Sequence, residues 1–240
     1  MTAVWVVGAI AVALATFVMG LAGFGIALVA MALLPYVMAP ADAVVLLTIY
    51  AAVFAVVLFV PVRGDFAPRA VGSLALGTIA GTPLGVWALA ALPASAMTRL
   101  IGLALLAAVA FELAGRLPAL LTGRGWGLAA GALAGVIGGA VGTPGPPVVL
   151  YATTQGWSPR RFRANVQAFF IVNQGVILAG YWWAGLLTAE VWRYTLAFAV
   201  PAVIGVAAGM SLFNRVDAVR FRRIVFWLIG LSGAVMLVRG

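Results

Sequence analysis

The stretch Gly138 to Pro147, GGAVGTPGPP, interrupts an otherwise apolar run in the second half of the chain. Its glycines favour non-helical dihedrals, and its three prolines lack a backbone donor, so a continuous helix is not expected here. Irregular backbone at membrane depth is tolerated only where it is buried in protein or lines a cavity. A weaker break, GLAGFG at Gly20 to Gly25, precedes it by about 120 residues. Paired interruptions of this kind are the best sequence pointer to a transporter binding site, and we expect these two to form one.

The composition is that of a polytopic membrane protein: 65% of the 240 residues are hydrophobic and 8% are charged. The apolar start has no basic residue before it, unlike a cleaved signal peptide, and is interpreted as mature sequence. The chain has no Cys and no His. This excludes thiol nucleophiles, zinc and haem sites and imidazole triads, so a membrane enzyme is disfavoured and neither a cofactor nor a metal is expected.

The net charge of +9 comes from arginines scattered between apolar segments. Charges in such loops set membrane orientation, and no nucleic-acid partner is expected from them. The expected partners are the lipid bilayer, a small anion and, as an open possibility, a second copy of the chain.

Six stretches are each long enough, roughly, for one membrane span of about 20 residues: 43–61, 71–92, 100–115, 163–184, 191–213 and 224–238. Residues 4–38 and 126–157 are too long for one span, and a break divides each into a piece of about 16 residues and one of about 12 or 13. Pieces of that size reach about 24 and 19 Å, which is short of a hydrocarbon core of about 30 Å.

The arginines distinguish two paths for these divided elements. If each element crosses the membrane once, the arginines are shared almost evenly between the two faces. If each returns to the side it entered from, 11 of the 14 arginines share one face, and only Arg99, Arg193 and Arg239 lie opposite. The positive-inside rule favours the second path, with the arginine-rich face in the cytoplasm of a bacterial-type inner membrane and both termini outside.

With that path the second half enters the membrane in the opposite sense from the first. We therefore predict an all-α polytopic membrane protein with two inverted-topology repeats, 1–116 and 125–240, joined by a loop at 117–124. Each repeat is a broken or hairpin helix pair followed by three transmembrane helices. At an offset of 124, Gly81 matches Gly205 and Gly85 matches Gly209.

Glycines four residues apart mark two of the helices: Gly77, Gly81 and Gly85, and Gly127, Gly131, Gly135 and Gly139. Small residues on one helical face let backbones approach closely in a membrane. We expect these faces to pack within the protomer or at a contact between two copies.

Polar side chains inside a span are functional candidates. Asn173 and Gln174 lie at the centre of 163–184, and either substrate contact or interhelical hydrogen bonding would explain them. Two other candidates, Thr143 and Tyr151, lie in and after the second break. Thr48 and Tyr50 lie in the corresponding region of the first half, and Tyr50 matches Gln174 at the offset of 124 residues.

Helix starts at the breaks predict the sign of the ligand. A piece beginning at Pro147 would have free N–H groups on Val148 and its neighbours, and a second piece begins near Ile26. Two such electropositive starts facing one another favour a small anion, whereas a cation site would need carboxylates. The backbone expected to surround the anion belongs to four glycines of the breaks: Gly23, Gly25, Gly142 and Gly145.

Four features together resemble a known family: the two breaks, Pro35, the turn RRFRANVQAFFIVN at Arg160 to Asn173, and the two glycine-marked helices. The family that they resemble is the TauE/SafE sulfite exporter family of membrane anion permeases. The resemblance covers essentially the whole chain. It implies secondary transport of sulfite or an organosulfonate. The proline-rich second break and the second amide beside Asn173 depart from the family pattern. A passive anion channel or a non-transporting membrane subunit remains the alternative.

Overall fold

The computed structural model describes residues 2–113, 123–212 and 218–239, and these residues form helices joined by short turns, with no strand among them. The helices are α1 (Thr2–Ala22), α2 (Ile26–Ala30), α3 (Pro40–Phe59), α4 (Pro68–Ala91), α5 (Ala94–Leu113), α6 (Arg124–Val141), α7 (Gly145–Thr153), α8 (Pro159–Trp183), α9 (Ala189–Ala197), α10 (Ala199–Leu212) and α11 (Ala218–Arg239). Most of the predicted loop at 117–124 lies outside the described residues.

The all-helical membrane fold is confirmed, although fewer helices than predicted meet a strict test for a span. Four are long and apolar enough by length and composition, namely α1, α3, α4 and α6, and the pair α9 and α10 would be a fifth. Helix α8 has 25 residues, but Gln167, Asn173 and Gln174 lower the hydropathy of its apolar part.

The stretch predicted as one span at 191–213 is bent in the structure, because α9 and α10 meet at an angle of 51°. Pro201 explains the bend. It has no N–H to donate, and its ring clashes with the carbonyl four residues earlier, which belongs to Ala197, the last residue of α9.

Both breaks occur where they were predicted, but they divide their elements unequally. Helix α1 has 21 residues and α6 has 18, so these pieces reach about 31 and 27 Å and are not the short pieces of about 16 residues expected. Helices α2 and α7 have only 5 and 9 residues. Gly23, Gly25 and Gly142 adopt φ values of 84°, 93° and 72°, a region that glycine enters without a steric penalty.

The glycine-marked faces of α4 and α6 pack against each other inside the protomer. A Cβ atom on Gly81 would lie 2.1 Å from the carbonyl oxygen of Ala132, and one on Gly131 would lie 2.1 Å from that of Leu74. Backbone therefore touches backbone, which only glycine permits at these positions. The predicted packing role of these glycines is confirmed, and neither face remains free for a second copy.

Helices α1 and α10 form an equivalent pair. A Cβ atom on Gly205 would lie 2.3 Å from the carbonyl oxygen of Ala13, and one on Gly209 would lie 2.2 Å from that of Phe17. In the two predicted repeats, α1 corresponds to α6 and α4 corresponds to α10. The packing of α4 against α6 therefore corresponds to the packing of α10 against α1. The division into two repeats stays a prediction, and this pairing is the pattern expected of it.

Contacts along α4 give the directions of α6 and α8. Leu74 meets Gly131 and Val86 meets Gly139, so α6 runs parallel to α4. Thr78 bonds to Asn173 and Val86 also meets Gly180, so α8 runs parallel to α4 as well. Because α6 and α8 run in the same direction, the break and α7 between them carry the chain back.

Candidate functional site

The two breaks meet at one small cavity between α1, α3 and α8. Its volume is about 30 Å³, room for roughly two water-sized groups. Its lining includes the following residues from both breaks and from α8: Phe24, Gly25, Gly142, Thr143, Gly145 and Gln174. Four predicted backbone or hydroxyl positions and one predicted amide are thus brought together, and none of the described residues that line the cavity carries a charge.

Gln174 places a buried amide in the cavity wall. The residue is 4% exposed, and its side-chain oxygen Oε1 has no hydrogen-bond partner within the described parts of the chain. Buried amides in proteins are normally paired, so this unpaired oxygen, which can only accept a hydrogen bond, is available to a proton carried by a ligand or to water.

Asn173, the neighbouring amide, does not line the cavity. Its Nδ2 donates to Thr78 Oγ1 on α4 at 2.5 Å, and the residue is fully buried. Of the two interpretations of Asn173, the geometry agrees with interhelical bonding.

Five other predicted site residues also lie away from the cavity: Gly23, whose carbonyl accepts from Gln167, and the four described next. The hydroxyl of Tyr50 donates to the Thr195 carbonyl at 2.6 Å, and that of Thr48 donates to the Val44 carbonyl at 2.8 Å. Tyr151 is buried with its hydroxyl beside Gly127 of α6, and Val148 is fully buried in the core.

The donor-rich helix start predicted at Pro147 is wrong. Helix α7 begins at Gly145, with Pro144 as its N-cap, so the Val148 N–H is already used within the helix by the first i→i−4 bond. The N-cap and the first three helical positions of α7 are Pro144, Gly145, Pro146 and Pro147. The prolines have no N–H, so among these four residues Gly145 alone has a backbone donor. Helix α2 begins at Ile26 as predicted but is a single short turn.

Two further residues of α8 hold the breaks and were missed from the sequence. Gln167 Nε2 donates to the Gly23 carbonyl at 2.5 Å, and the Tyr181 hydroxyl donates to the Gly139 carbonyl near the end of α6 at 2.8 Å. Gln167, Gln174 and Tyr181 are seven residues apart, which places them on one face of the helix, two turns from each other. Polar residues at this spacing from Gln174 are the signal that could have identified them.

A second, apolar crevice of about 530 Å³ lies between α5 and the α6–α7 element. Thr143 and Pro146 line both this crevice and the small cavity. The second break is therefore the wall that separates the two spaces.

Comparison with known proteins identifies the class. The model of the family described as sulfite exporter TauE/SafE matches residues 8–236, nearly the whole chain. Searches of curated proteins and of solved structures gave no match. The family consists of membrane transporters of the sulfite and anion exporter type, not of enzymes. This multi-pass membrane protein belongs to the sulfite exporter TauE/SafE family.

Proposed function

We propose that the chain is a secondary transporter that exports a small anion, such as sulfite or an organosulfonate, by alternating access around the cavity at the two breaks. In this proposal the ligand contacts Gln174, the Thr143 hydroxyl and the Gly145 N–H. The protein lies in a bacterial-type inner membrane, with both termini on the outer face.

The observation that carries the proposal is the position of Gln174. Two breaks far apart in the sequence line one cavity, and the buried amide between them has an unpaired oxygen. Irregular backbone and an unpaired amide are both costly at membrane depth, and a ligand site accounts for the two together.

Energetics favour export over import for a single anion. Moving one negative charge outward across an inside-negative potential releases about 2.3 kcal/mol per 100 mV, so efflux needs no coupling ion. The sequence contains no Walker motif that would indicate ATP hydrolysis.

Flux of ³⁵S-labelled sulfite in proteoliposomes tests the proposal. We expect saturable flux that accelerates when unlabelled sulfite is present on the opposite side, because a carrier returns faster when loaded. Gln174→Leu should reduce flux at low substrate concentration about 10- to 100-fold, the value of a hydrogen bond to a charged group. Gln155→Leu is the matched control, because Gln155 does not line the cavity and its Nε2 donates to the Tyr151 carbonyl and to Thr154 Oγ1.

The rival functions give different outcomes. A passive channel would show flux without saturation and without stimulation from the opposite side. A non-transporting subunit would show no flux above that of empty liposomes. Full activity of Gln174→Leu would refute the site while leaving transport itself established.

A further inference from the structure

We propose that the cavity at the two breaks admits monoanions and excludes dianions, so that hydrogensulfite, not the sulfite dianion, is the form of sulfite that it carries. This inference rests on the proposed anion transport and adds the charge state of the substrate.

The size of the cavity sets the cost of entry. At about 30 Å³ the cavity must widen to hold an oxyanion at all, and it has no room for a hydration shell in addition, so the ion enters without most of its water. The free energy of removing an ion from water grows with the square of its charge, so a dianion costs about four times as much as a monoanion of the same size.

Fixed positive charge that could compensate a dianion lies elsewhere. Helices α1 and α2 contain no titratable side chain. On α3, α6 and α8 the charged side chains of the described residues lie within the first five residues of each helix and do not line the cavity: Asp42, Arg124, Arg160, Arg161 and Arg163. The tyrosines on the surrounding helices do not line it either: Tyr50 and Tyr181 bond to backbone carbonyls, and the Tyr151 hydroxyl lies beside Gly127.

Neutral donors are also few on the α7 side. The prolines of the second break remove three of the four N–H groups that a helix start normally presents, and Gly145 keeps one. Thr143 adds a hydroxyl that can donate, whereas the unpaired oxygen of Gln174, which is 4% exposed, is an acceptor: it can bond to the proton of hydrogensulfite, and the sulfite dianion has no proton to offer it. Because the lining has no charged group, its neutral donors compensate one negative charge far better than two.

The pH dependence of transport tests the inference, because the second proton of sulfurous acid dissociates close to neutral pH. Initial rates would be measured in proteoliposomes with equal pH on both sides, for labelled sulfite, methanesulfonate and sulfate, after subtraction of flux into protein-free liposomes. Methanesulfonate is a monoanion and sulfate a dianion throughout this range.

We expect the KM for total sulfite to rise with pH, by about tenfold per unit on the alkaline side, while the maximal rate stays constant. Expressed as hydrogensulfite, the KM should not change. A titrating protein group would impose its pH dependence on methanesulfonate as well, whose charge does not change over this range. Methanesulfonate, where it is carried, should show no pH dependence, and sulfate should not be carried.

A KM for total sulfite that is constant or falls with rising pH would overturn the inference, as would transport of sulfate at a rate similar to that of sulfite. Either result leaves the proposed transport intact. If wild-type protein carries none of the three anions, the proposed function itself fails, and the inference fails with it.

Discussion

Two adjacent amides on α8, Asn173 and Gln174, differ in their surroundings because successive helical residues point about 100° apart. Asn173 faces α4 and bonds to Thr78, whereas Gln174 faces the cavity. The sequence identified both residues as unusual but not their separate roles, since the direction of a side chain depends on which helices surround α8. That arrangement is decided by packing between residues far apart in the chain.

Replacement of Thr78 by Val tests the interhelical role of Asn173. The change removes the hydroxyl that accepts from Asn173 and leaves a fully buried amide without a partner. We expect the free energy of unfolding to fall by about 1 to 3 kcal/mol, measured by thermal unfolding in detergent. Thr98→Val is the control, because Thr98 is only half-buried and its hydroxyl donates to the Ala94 carbonyl of its own helix.

Adding Asn173→Leu to Thr78→Val removes the unpaired amide as well. Most of the lost stability should then return, and sulfite transport should remain near the wild-type rate. A double variant that loses transport to the same extent as Gln174→Leu would show that Asn173 contributes to the site after all.

At the scale of the helix, glycine contacts were the most predictable feature. A spacing of four residues indicated a packing face, and α4 against α6 shows backbone contact along that face. The partner of each face could not be read from spacing alone. The start of α7 was mispredicted for a local reason: prolines suit the first turn of a helix, and with three of them the start moved to Gly145.

Gly81→Ala should separate α4 from α6. Its Cβ atom would lie 2.1 Å from a backbone oxygen, which cannot move without moving the helix. We expect a loss of about 1 to 3 kcal/mol or more, seen as a lower midpoint of thermal unfolding. Gly72→Ala on the same helix meets nothing within 4 Å and should be neutral or slightly stabilising. Equal effects of the two changes would contradict the close packing.

Tyr181→Phe tests the attachment of α8 to the second break. It removes the hydroxyl bonded to the Gly139 carbonyl and leaves that carbonyl without its donor in a fully buried setting. The expected loss is about 1 to 3 kcal/mol in thermal unfolding. Tyr36→Phe serves as the control, because Tyr36 is 52% exposed. A wild-type midpoint for Tyr181→Phe would show that the bond adds little.

For the whole molecule, Arg160 and Arg193 lie at opposite ends of the helix bundle. The starts of α4 and α8 lie together, because Arg160 Nε is 3.1 Å from Asp65 Oδ2 and the Ala67 N–H donates to Asn165 Oδ1 at 2.9 Å. Arg193 lies on α9, which follows the other end of α8, and its guanidinium is 5.7 Å from the Trp5 ring near the start of α1. This grouping agrees with the in-and-return path proposed for both breaks.

Labelling of single cysteines tests the proposed orientation, and the chain is suited to it because it has no native cysteine. Gly64 lies in the arginine-bearing turn before α4, with nothing within 4 Å of an added Cβ atom, and Ala184 is exposed at the end of α8. If the arginine-rich end is cytoplasmic, a membrane-impermeant thiol reagent should label Ala184→Cys in intact cells and Gly64→Cys only after permeabilisation. The wild-type chain, without a thiol, gives the background. The reverse pattern would place both termini in the cytoplasm, and labelling of both positions in intact cells would show that the segment between them does not cross an odd number of times.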